Sequence, residues 1–249
     1  MGGRGVPGPP SLPSGPDVLL LCLDTATPQV SVAIGDEGAV RGEIRLGRGR
    51  RHAEQLAPAI AYLCHELDVE LARLAGIAVG LGPGLFTGLR VGVTTARTMA
   101  QALRVPVVGV ASLDLVAYPL RHTNRLVAAV LDARRGEVFH ARYRPVPGGV
   151  QRVGDYEVGA PADLVADLVA AGEEVLFAGD GALRYRAAFA EVDRSEQAGP
   201  AYAFPSGAAL VELATARVER EEFSSPWELE PFYLRQSDAE IEWERRQAS

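Results

Sequence analysis

The sequence predicts an α/β protein built from two related halves. Short apolar runs without helical period alternate with segments of helical period, which is typical of α/β folds. Two segments also match without a gap, "LLCLDTATPQVSVAI" from residue 20 and "AAVLDARRGEVFHAR" from residue 128. Each has an apolar run that ends in Leu-Asp, a polar turn and a second apolar run. An internal repeat of this kind indicates a duplicated fold.

The first half contains five predicted strands and three predicted helices. "DVLLLCLD" predicts a buried strand, and "VSVAIG" and "AVRGEIRL" predict two more around the turn "DEG". The remaining strands cover about residues 75–80 and the run "VPVVGV". Helices are predicted at "RHAEQLAPAIAYLCHELD", at about 89–103 and at "SLDLVAYPL". The first helix is amphipathic, because its large apolar residues form one stripe: Leu56, Ile60, Leu63 and Leu67.

The second half begins with the repeated hairpin and continues with further helices and a strand. "PADLVADLVAAG" predicts a helix with Pro161 in its first turn, and "EVLFAGDG" predicts a strand that runs into a turn. Ser206 is a candidate N-cap for the helix "GAALVELATARVERE". The segment that follows contains both tryptophans among many charges, which indicates a segment docked through its apolar residues.

Four ranges follow from this pattern. We expect a disordered leader (1–16), an N-terminal subdomain (17–120), a C-terminal subdomain (121–235) and a charged tail (236–249). The leader is almost entirely Gly, Pro and Ser, which bury too little apolar area to offset the entropy of ordering. No apolar run reaches the length of a membrane span, so we expect no membrane association and a cytoplasmic protein.

Composition narrows the classes of function. The chain has 25 basic and 32 acidic residues and a net charge of −7, which disfavours a surface that binds nucleic acid unaided. Its two cysteines, Cys22 and Cys64, both lie in apolar stretches, which favours buried free thiols of a reducing compartment. The four histidines form no pair with the spacing of zinc ligands.

The segment "GLGPGLFTGLR" at residues 80–90 joins a predicted strand to a predicted helix. Such turns often bind phosphate, but five residues separate Gly82 from Gly88, and Leu89 stands where a phosphate-binding loop has lysine. Spacing therefore leaves two alternatives open, a weak anion site at the helix N-terminus and a turn of purely structural role.

Two carboxylates end equivalent predicted strands, Asp24 in the first half and Asp132 in the second. Open α/β sheets bind ligands at the carboxyl ends of their strands, and paired aspartates there can face the metal and phosphates of a nucleotide. Alternatively, each carboxylate accepts hydrogen bonds from the backbone of its own turn. The residues alone leave both interpretations open.

The chain resembles the TsaB family, the bacterial accessory proteins of threonylcarbamoyladenosine modification of tRNA. The resemblance covers about residues 17–235, and its most specific segments are "GPGLFTGLR" and "LDARRGEV". It implies an actin-like ATPase fold, also called ribonuclease H-like, of two duplicated subdomains. It also implies that the chain is a paralogue of the catalytic subunit TsaD, a protein that resembles those once described as M22-like glycoproteases. Where TsaD has two metal-binding histidines, this chain has Ser112 and Val116, so we expect no metal and no catalytic residues.

The resemblance further implies a subunit that dimerises with TsaD and activates it for threonylcarbamoyl transfer. Its helices at 52–68 and 89–103 would form a helical bundle with TsaD, or with a second copy in a homodimer. The TsaE ATPase and tRNA would be reached only through TsaD. The expected interface residues are Ala59, Tyr62, Leu63, Gly92, Thr95, Ala96 and Met99.

The resemblance implies at most a vestigial nucleotide site. We expect no resident cofactor, and only weak binding of ATP or ADP at Asp24, Thr25, Gly82, Gly84 and Asp132. The alternative function is an independent nucleotide-dependent phosphotransferase or ATPase, in which Asp24 and Asp132 surround magnesium-ATP. A metallopeptidase would need ligands that this sequence lacks.

Overall fold

The computed structural model describes residues 18–47 and 52–235 of the 249-residue chain. The expected leader at 1–16 and the charged tail at 236–249 lie outside these residues. Strands of the described residues form two five-stranded sheets, one from each half of the chain.

The first sheet has the order β3-β2-β1-β4-β5. Its strands are β1 (Leu20–Asp24), β2 (Val30–Asp36), β3 (Ala39–Leu46), β4 (Gly76–Gly80) and β5 (Val107–Val110). β1, β2 and β3 form an antiparallel meander, whereas β4 and β5 are parallel to β1. Every residue of β1 and β4 is buried, as expected of strands that are apolar on both faces.

The second sheet has the same order and the same strand directions. Its strands are β6 (Leu126–Arg134), β7 (Glu137–Val146), β8 (Gly149–Gly159), β9 (Val175–Ala178) and β10 (Ser195–Gln197). Read from β8 to β10 the order is β8-β7-β6-β9-β10, with β6 and β9 parallel. The duplication that the repeat predicted is therefore confirmed, and with it the actin-like fold. Sequence reasoning missed β8 and β10, which are exposed or half-buried edge strands without a clear apolar pattern.

Three helices complete the first half: α1 (His52–Glu66), α2 (Phe86–Leu103) and α3 (Ser112–Ala117). α1 and α2 cover one face of the first sheet. Of the predicted stripe, Leu56, Ile60 and Leu63 are buried in that core, and Leu67, just beyond the end of α1, is partly buried against it. α2 begins at Phe86, before the predicted start near residue 89, because Gly88 lies within the helix and allows it to approach the backbone of Thr25.

The later helices are α4 (Pro161–Ala171), α5 (Asp180–Arg184), α6 (Arg186–Phe189) and α7 (Gly207–Glu219). α7 follows the second sheet in the chain, but its apolar residues pack on the first sheet, beside Leu20 and Cys22. The predicted C-terminal subdomain, 121–235, therefore includes α7 although this helix packs on the sheet of the first half. The predicted cap is confirmed, since the Ser206 hydroxyl accepts a hydrogen bond from the Ala209 N–H at 3.3 Å.

Both cysteines are buried free thiols, as predicted. Burial raises the pKa of each thiol above its ordinary value. Among the helices of residues 18–47 and 52–235, none combines the length and apolar character that a membrane crossing requires.

Candidate functional site

Asp24 lies at the end of β1 in a closed polar cluster and is only 1% exposed. Its Oδ2 accepts a hydrogen bond from the Ser112 hydroxyl at 2.7 Å, and its Oδ1 accepts one from the Ala26 N–H at 3.0 Å. Burial raises the pKa of Asp24 to about 6, although both hydrogen bonds oppose the shift. A Cβ at Gly80 would lie 1.8 Å from Oδ2, so the glycine makes room for the carboxylate itself. Both carboxylate oxygens of Asp24 are therefore engaged by groups of the chain itself.

Backbone N–H groups of the glycine loop donate hydrogen bonds to other groups of the same chain. The Leu81 N–H donates to the Val110 carbonyl at 2.8 Å, and the Gly82 N–H donates to the Ser112 hydroxyl at 3.2 Å. The Leu85 N–H donates to the Ala26 carbonyl at 2.7 Å, and Pro83 has no N–H. A phosphate-binding loop must keep such donors available for its ligand. The geometry therefore favours the structural alternative for this loop.

Three further glycines place α2 against the turn that follows β1. A Cβ at Gly84 would lie 2.2 Å from the Ala26 carbonyl oxygen, and one at Gly88 would lie 2.1 Å from that of Thr25. At Gly92 it would lie 2.3 Å from the Thr25 hydroxyl oxygen. That hydroxyl donates to the Gly88 carbonyl at 2.7 Å. The glycine pattern that resembled a phosphate loop thus serves close helix packing.

Asp132 ends the repeated hairpin of the second half, and its surroundings differ from those of Asp24. Its Oδ2 lies 3.1 Å from Arg134 Nη1 and 3.5 Å from Arg184 Nη1. Its Oδ1 accepts a hydrogen bond from the Arg134 N–H at 3.0 Å. The carboxylate of Asp132 is therefore already paired with two guanidinium groups. These residues do not fit a magnesium nucleotide.

A carboxylate that sequence reasoning missed, Asp180, supports the same strand end. Its Oδ1 accepts a hydrogen bond from the Asp132 N–H at 3.0 Å, and burial raises its pKa to about 6. The signal was present in "FAGDG", because an acidic residue between glycines follows strand β9 directly. Arg184 was missed as well, since nothing in the local sequence relates it to Asp132.

The residues predicted for a vestigial nucleotide site fall into two groups. Asp24, Thr25, Gly82 and Gly84 come together at the glycine loop, where Ser112 joins Asp24 to Gly82. Asp132 lies at the corresponding strand end of the other sheet.

The two residues at the histidine positions of TsaD are both inside the protein. Ser112 is fully buried and bonded to Asp24, and Val116 is 1% exposed in the apolar cluster beside the second sheet. Within the described part of the chain, no three His, Cys, Asp or Glu side chains come together as the ligands of a cation would.

Four of the seven residues predicted for the partner interface are buried inside the first half. Ala59, Leu63, Gly92 and Ala96 are buried within the first half, because their side of each helix faces the first sheet. Of these predicted residues only Tyr62 is exposed, at 58%, while Thr95 and Met99 are half-buried. A glutamate at Ala96 would place a carboxylate in the core and would unfold the chain rather than test an interface.

The accessible side of these two helices combines small and apolar side chains with charged ones, since Arg90 is exposed and Arg97 half-buried on the side of α2 that carries Thr94 and Thr98. We call this accessible side the α1–α2 face and define it by its exposed residues Ala57, Pro58, Ala61, Tyr62, Thr94 and Thr98 and its half-buried residues Val91, Thr95 and Met99.

Comparison with known proteins identifies the family. A family model described as "TsaD: tRNA N6-adenosine threonylcarbamoyltransferase" matches residues 48–243. The tRNA threonylcarbamoyladenosine biosynthesis protein TsaB of Bacillus subtilis (strain 168) is 30% identical over 231 residues, which cover 90% of this chain and 97% of that protein. The chain belongs to the TsaB family.

Solved structures agree with this assignment. YeaZ from Pseudomonas aeruginosa superposes with a TM-score of 0.72 at 32% identity, covering 87% of this chain and 99% of that chain. A second Pseudomonas aeruginosa protein, described as uncharacterized with similarity to peptidase YEAZ, reaches 0.77 at 31% identity with the same coverage. The resemblance seen in the sequence is therefore confirmed.

Proposed function

We propose that this chain is a non-catalytic subunit in tRNA threonylcarbamoyladenosine biosynthesis. It binds TsaD through the α1–α2 face and activates TsaD for threonylcarbamoyl transfer to the adenosine next to the tRNA anticodon. Family membership supports the pathway. The α1–α2 face is the observation that carries the proposal for the mode of action.

A helix face that meets only water normally carries charged residues. Beside Arg90 and Arg97, the α1–α2 face has small or apolar side chains on both helices, and the largest of them, Tyr62, is 58% exposed. Tyrosine is enriched among residues that dominate binding energy, and depletion of charge is typical of the core of an interface. Ala57 and Ala61 are small enough to let a partner helix approach closely.

The engaged carboxylates support a role without chemistry. An independent phosphotransferase or ATPase would need Asp24 and Asp132 available for magnesium. Here Asp24 is bonded to Ser112 and Ala26, and Asp132 is paired with Arg134 and Arg184. These contacts support the proposal of a chain that has no resident cofactor and binds ATP or ADP weakly at best.

The remaining partners follow from the same surface. Without TsaD, a second copy of this chain covers the α1–α2 face in a homodimer, because both partners use one self-complementary surface. The TsaE ATPase and tRNA are contacted through TsaD in the cytoplasm, in keeping with the net charge of −7.

The substitution Tyr62→Glu tests this proposal, with Val169→Glu as its matched control. Both side chains are more than half exposed, at 58% and 54%, but Val169 lies on α4 of the second half. A charge inserted at an interface core weakens binding by about 3 kcal/mol, or about 100-fold. We expect both variants to fold, and only Tyr62→Glu to lose TsaD binding and tRNA modification.

Titration calorimetry with TsaD and a threonylcarbamoyl-transfer assay with TsaD and TsaE provide the measurements. Wild-type affinity in Tyr62→Glu would show that the interface lies elsewhere. Threonylcarbamoyl transfer by this chain in the absence of TsaD would show that the chain is itself catalytic.

A further inference from the structure

The C-terminal segment of the described chain, residues 224–235, lies across both halves; we call it the strap. At its start, Ser224 pairs with the outer edge of β5, with N–H to carbonyl distances of 2.9 and 3.3 Å to Val107. Leu229 then enters the core of the first half and is only 3% exposed. A Cβ at Gly109 would lie 3.2 Å from its Cδ1. The first part of the strap is therefore anchored on the first sheet.

The strap next crosses the glycine loop. The Phe232 N–H donates to the Leu81 carbonyl at 2.7 Å. The Phe232 carbonyl oxygen lies 3.1 Å from the point that a Cβ of Gly82 would occupy. Gly82 has a φ of +96°, so both its conformation and the strap require a glycine there. Main-chain atoms of the strap thus lie directly on the loop.

The last residues of the strap contact the second half. The Phe232 ring meets Tyr156 of β8 edge to face, with 5.3 Å between ring centroids. Leu234 packs against the apolar cluster that contains Phe139 and Tyr143 of β7. Arg235 Nη1 lies 2.7 Å from Glu137 Oε2. One segment of chain is therefore anchored on both sheets.

Tyr156 also takes part in a second link between the halves. Asp114 of α3 accepts hydrogen bonds on its Oδ1 from the Tyr143 and Tyr156 hydroxyls, each at 2.8 Å. Burial, together with the Asp114 charge, raises the pKa of both phenols, so both remain donors at ordinary pH. These part-buried hydrogen bonds hold Tyr156, the partner of Phe232, in place beneath the strap.

We propose that the strap is a clasp that holds the two halves in one relative orientation across the glycine loop. A change in the angle between the sheets would have to separate Phe232 from Tyr156 and Arg235 from Glu137, or pull Phe232 from Leu81. The clasp belongs to the isolated chain and does not depend on the proposed role with TsaD. Its effect is that one fixed arrangement of the halves is presented to any partner.

The experiment measures the distance between the halves in the full chain. Spin labels are attached to Val40→Cys in the first half and Val169→Cys in the second, both at exposed positions. Single-label samples correct for any reaction of Cys22 and Cys64. We compare the wild-type strap with Phe232→Ala and with Trp227→Ala, a control in the same segment whose side chain is 61% exposed.

Pulsed electron resonance should give one narrow distance distribution for the wild type and for Trp227→Ala. In Phe232→Ala the distribution should become at least twice as wide, while circular dichroism stays unchanged. A distribution as narrow as that of the wild type in Phe232→Ala overturns the proposal. If Phe232→Ala does not fold, the double variant Phe232→Leu/Arg235→Gln replaces it, because this variant keeps most of the apolar volume. The same widening of the distance distribution is then expected, and a distribution as narrow as that of the wild type overturns the proposal.

Discussion

Asp24 and Asp132 occupy the same position in two copies of one hairpin, but their surroundings are different. Asp24 is buried among neutral groups, a serine hydroxyl and a backbone N–H. Asp132 is surrounded by two arginines and lies nearer to solvent. The comparison shows that both copies keep the same backbone path. The charge around each strand end is set by residues further along the chain, Ser112 for Asp24 and Arg134 and Arg184 for Asp132.

Local backbone geometry accounts for part of the difference. Asp24 lies opposite Ser31 in the first hairpin, and the gapless alignment would place Asp132 opposite Phe139. In the structure Asp132 lies opposite Val138 instead, so the two hairpins differ in register by one residue. The bulge between Asp132 and Arg134 takes up this residue and turns the Arg134 N–H toward the carboxylate.

The largest expected difference concerns a glycine at the end of the neighbouring parallel strand in each half: Gly80, the last residue of β4, and Gly179, the first residue after β9. A Cβ at Gly179 would lie 1.9 Å from the Val130 carbonyl oxygen, and the residue has a φ of +108°. We expect Gly179→Ala to lower the free energy of unfolding by about 4 kcal/mol or more, since both backbone strain and a backbone clash act. At Gly80 the clash is with the Asp24 side chain, and we expect about 2–3 kcal/mol.

Double-mutant cycles by urea unfolding sharpen this prediction. Asp24→Ala removes the clashing carboxylate and should recover about 1 kcal/mol or more of the Gly80→Ala cost. Asp132→Ala should recover nothing of the Gly179→Ala cost, because the obstacle there is main chain. Equal coupling in both cycles would contradict the assigned causes.

A second expected difference is the pH dependence that Asp24 confers. The pKa of Asp24 is about 6 in the folded chain and ordinarily 3.8, so between these pH values the folded state binds a proton that the unfolded state has released. The stabilisation is complete below pH 4 and is lost as the pH rises through 6, by about 3 kcal/mol for two pKa units. Asp24→Asn does not titrate, so its stability should rise relative to wild type over this range.

Urea unfolding at pH 4.5, 5.5, 6.5 and 7.5 checks this expectation. Asp180→Asn serves as the second-half counterpart, because the pKa of Asp180 is also raised to about 6 by burial. Parallel stability curves for wild type and Asp24→Asn would show that Asp24 titrates normally in the folded chain.

The smallest expected effect is the response of Asp132 to salt. Its arginine partners are 42% and 57% exposed, so the pairing stabilises the fold by about 1 kcal/mol and is screened by ions. Asp132→Asn should therefore lose about 1 kcal/mol at low ionic strength and almost nothing in 1 M sodium chloride. Asp24→Asn provides the comparison, since its neutral partners predict no such dependence on salt.

The first half of the fold was largely predictable, and the second half only in part. Buried apolar runs predicted β1, β2, β4 and β5, the "DEG" turn after β2 predicted β3, and helical periodicity predicted the three helices. β8 and β10 are exposed or half-buried and have no clear apolar pattern, so they were missed. α5 and α6 were also missed, since helices of five and four residues show too little periodicity.

The sequence predicted which residues lie at the candidate site, but not which groups surround each of them. Asp24, Gly82 and Gly84 do come together, but the role of Ser112 as the bridge between Asp24 and Gly82 was not foreseen. The pairing of Asp132 with Arg184 joins residues from different elements, and only the placement of α5 beside β6 brings them together. The depth of Ala96 likewise depends on which side of α2 faces the sheet.

By itself, the sequence determined the duplicated α/β architecture, the buried strands and the family. These depend on the order of apolar and polar residues along the chain, which local physics translates directly into strands and helices. The tertiary structure alone decided that α7 covers the first sheet, that the glycine loop is occupied by its own chain, and that the strap joins both halves. Each of these is a contact between residues far apart in sequence, and burial and hydrogen-bond geometry arise only when the elements pack together.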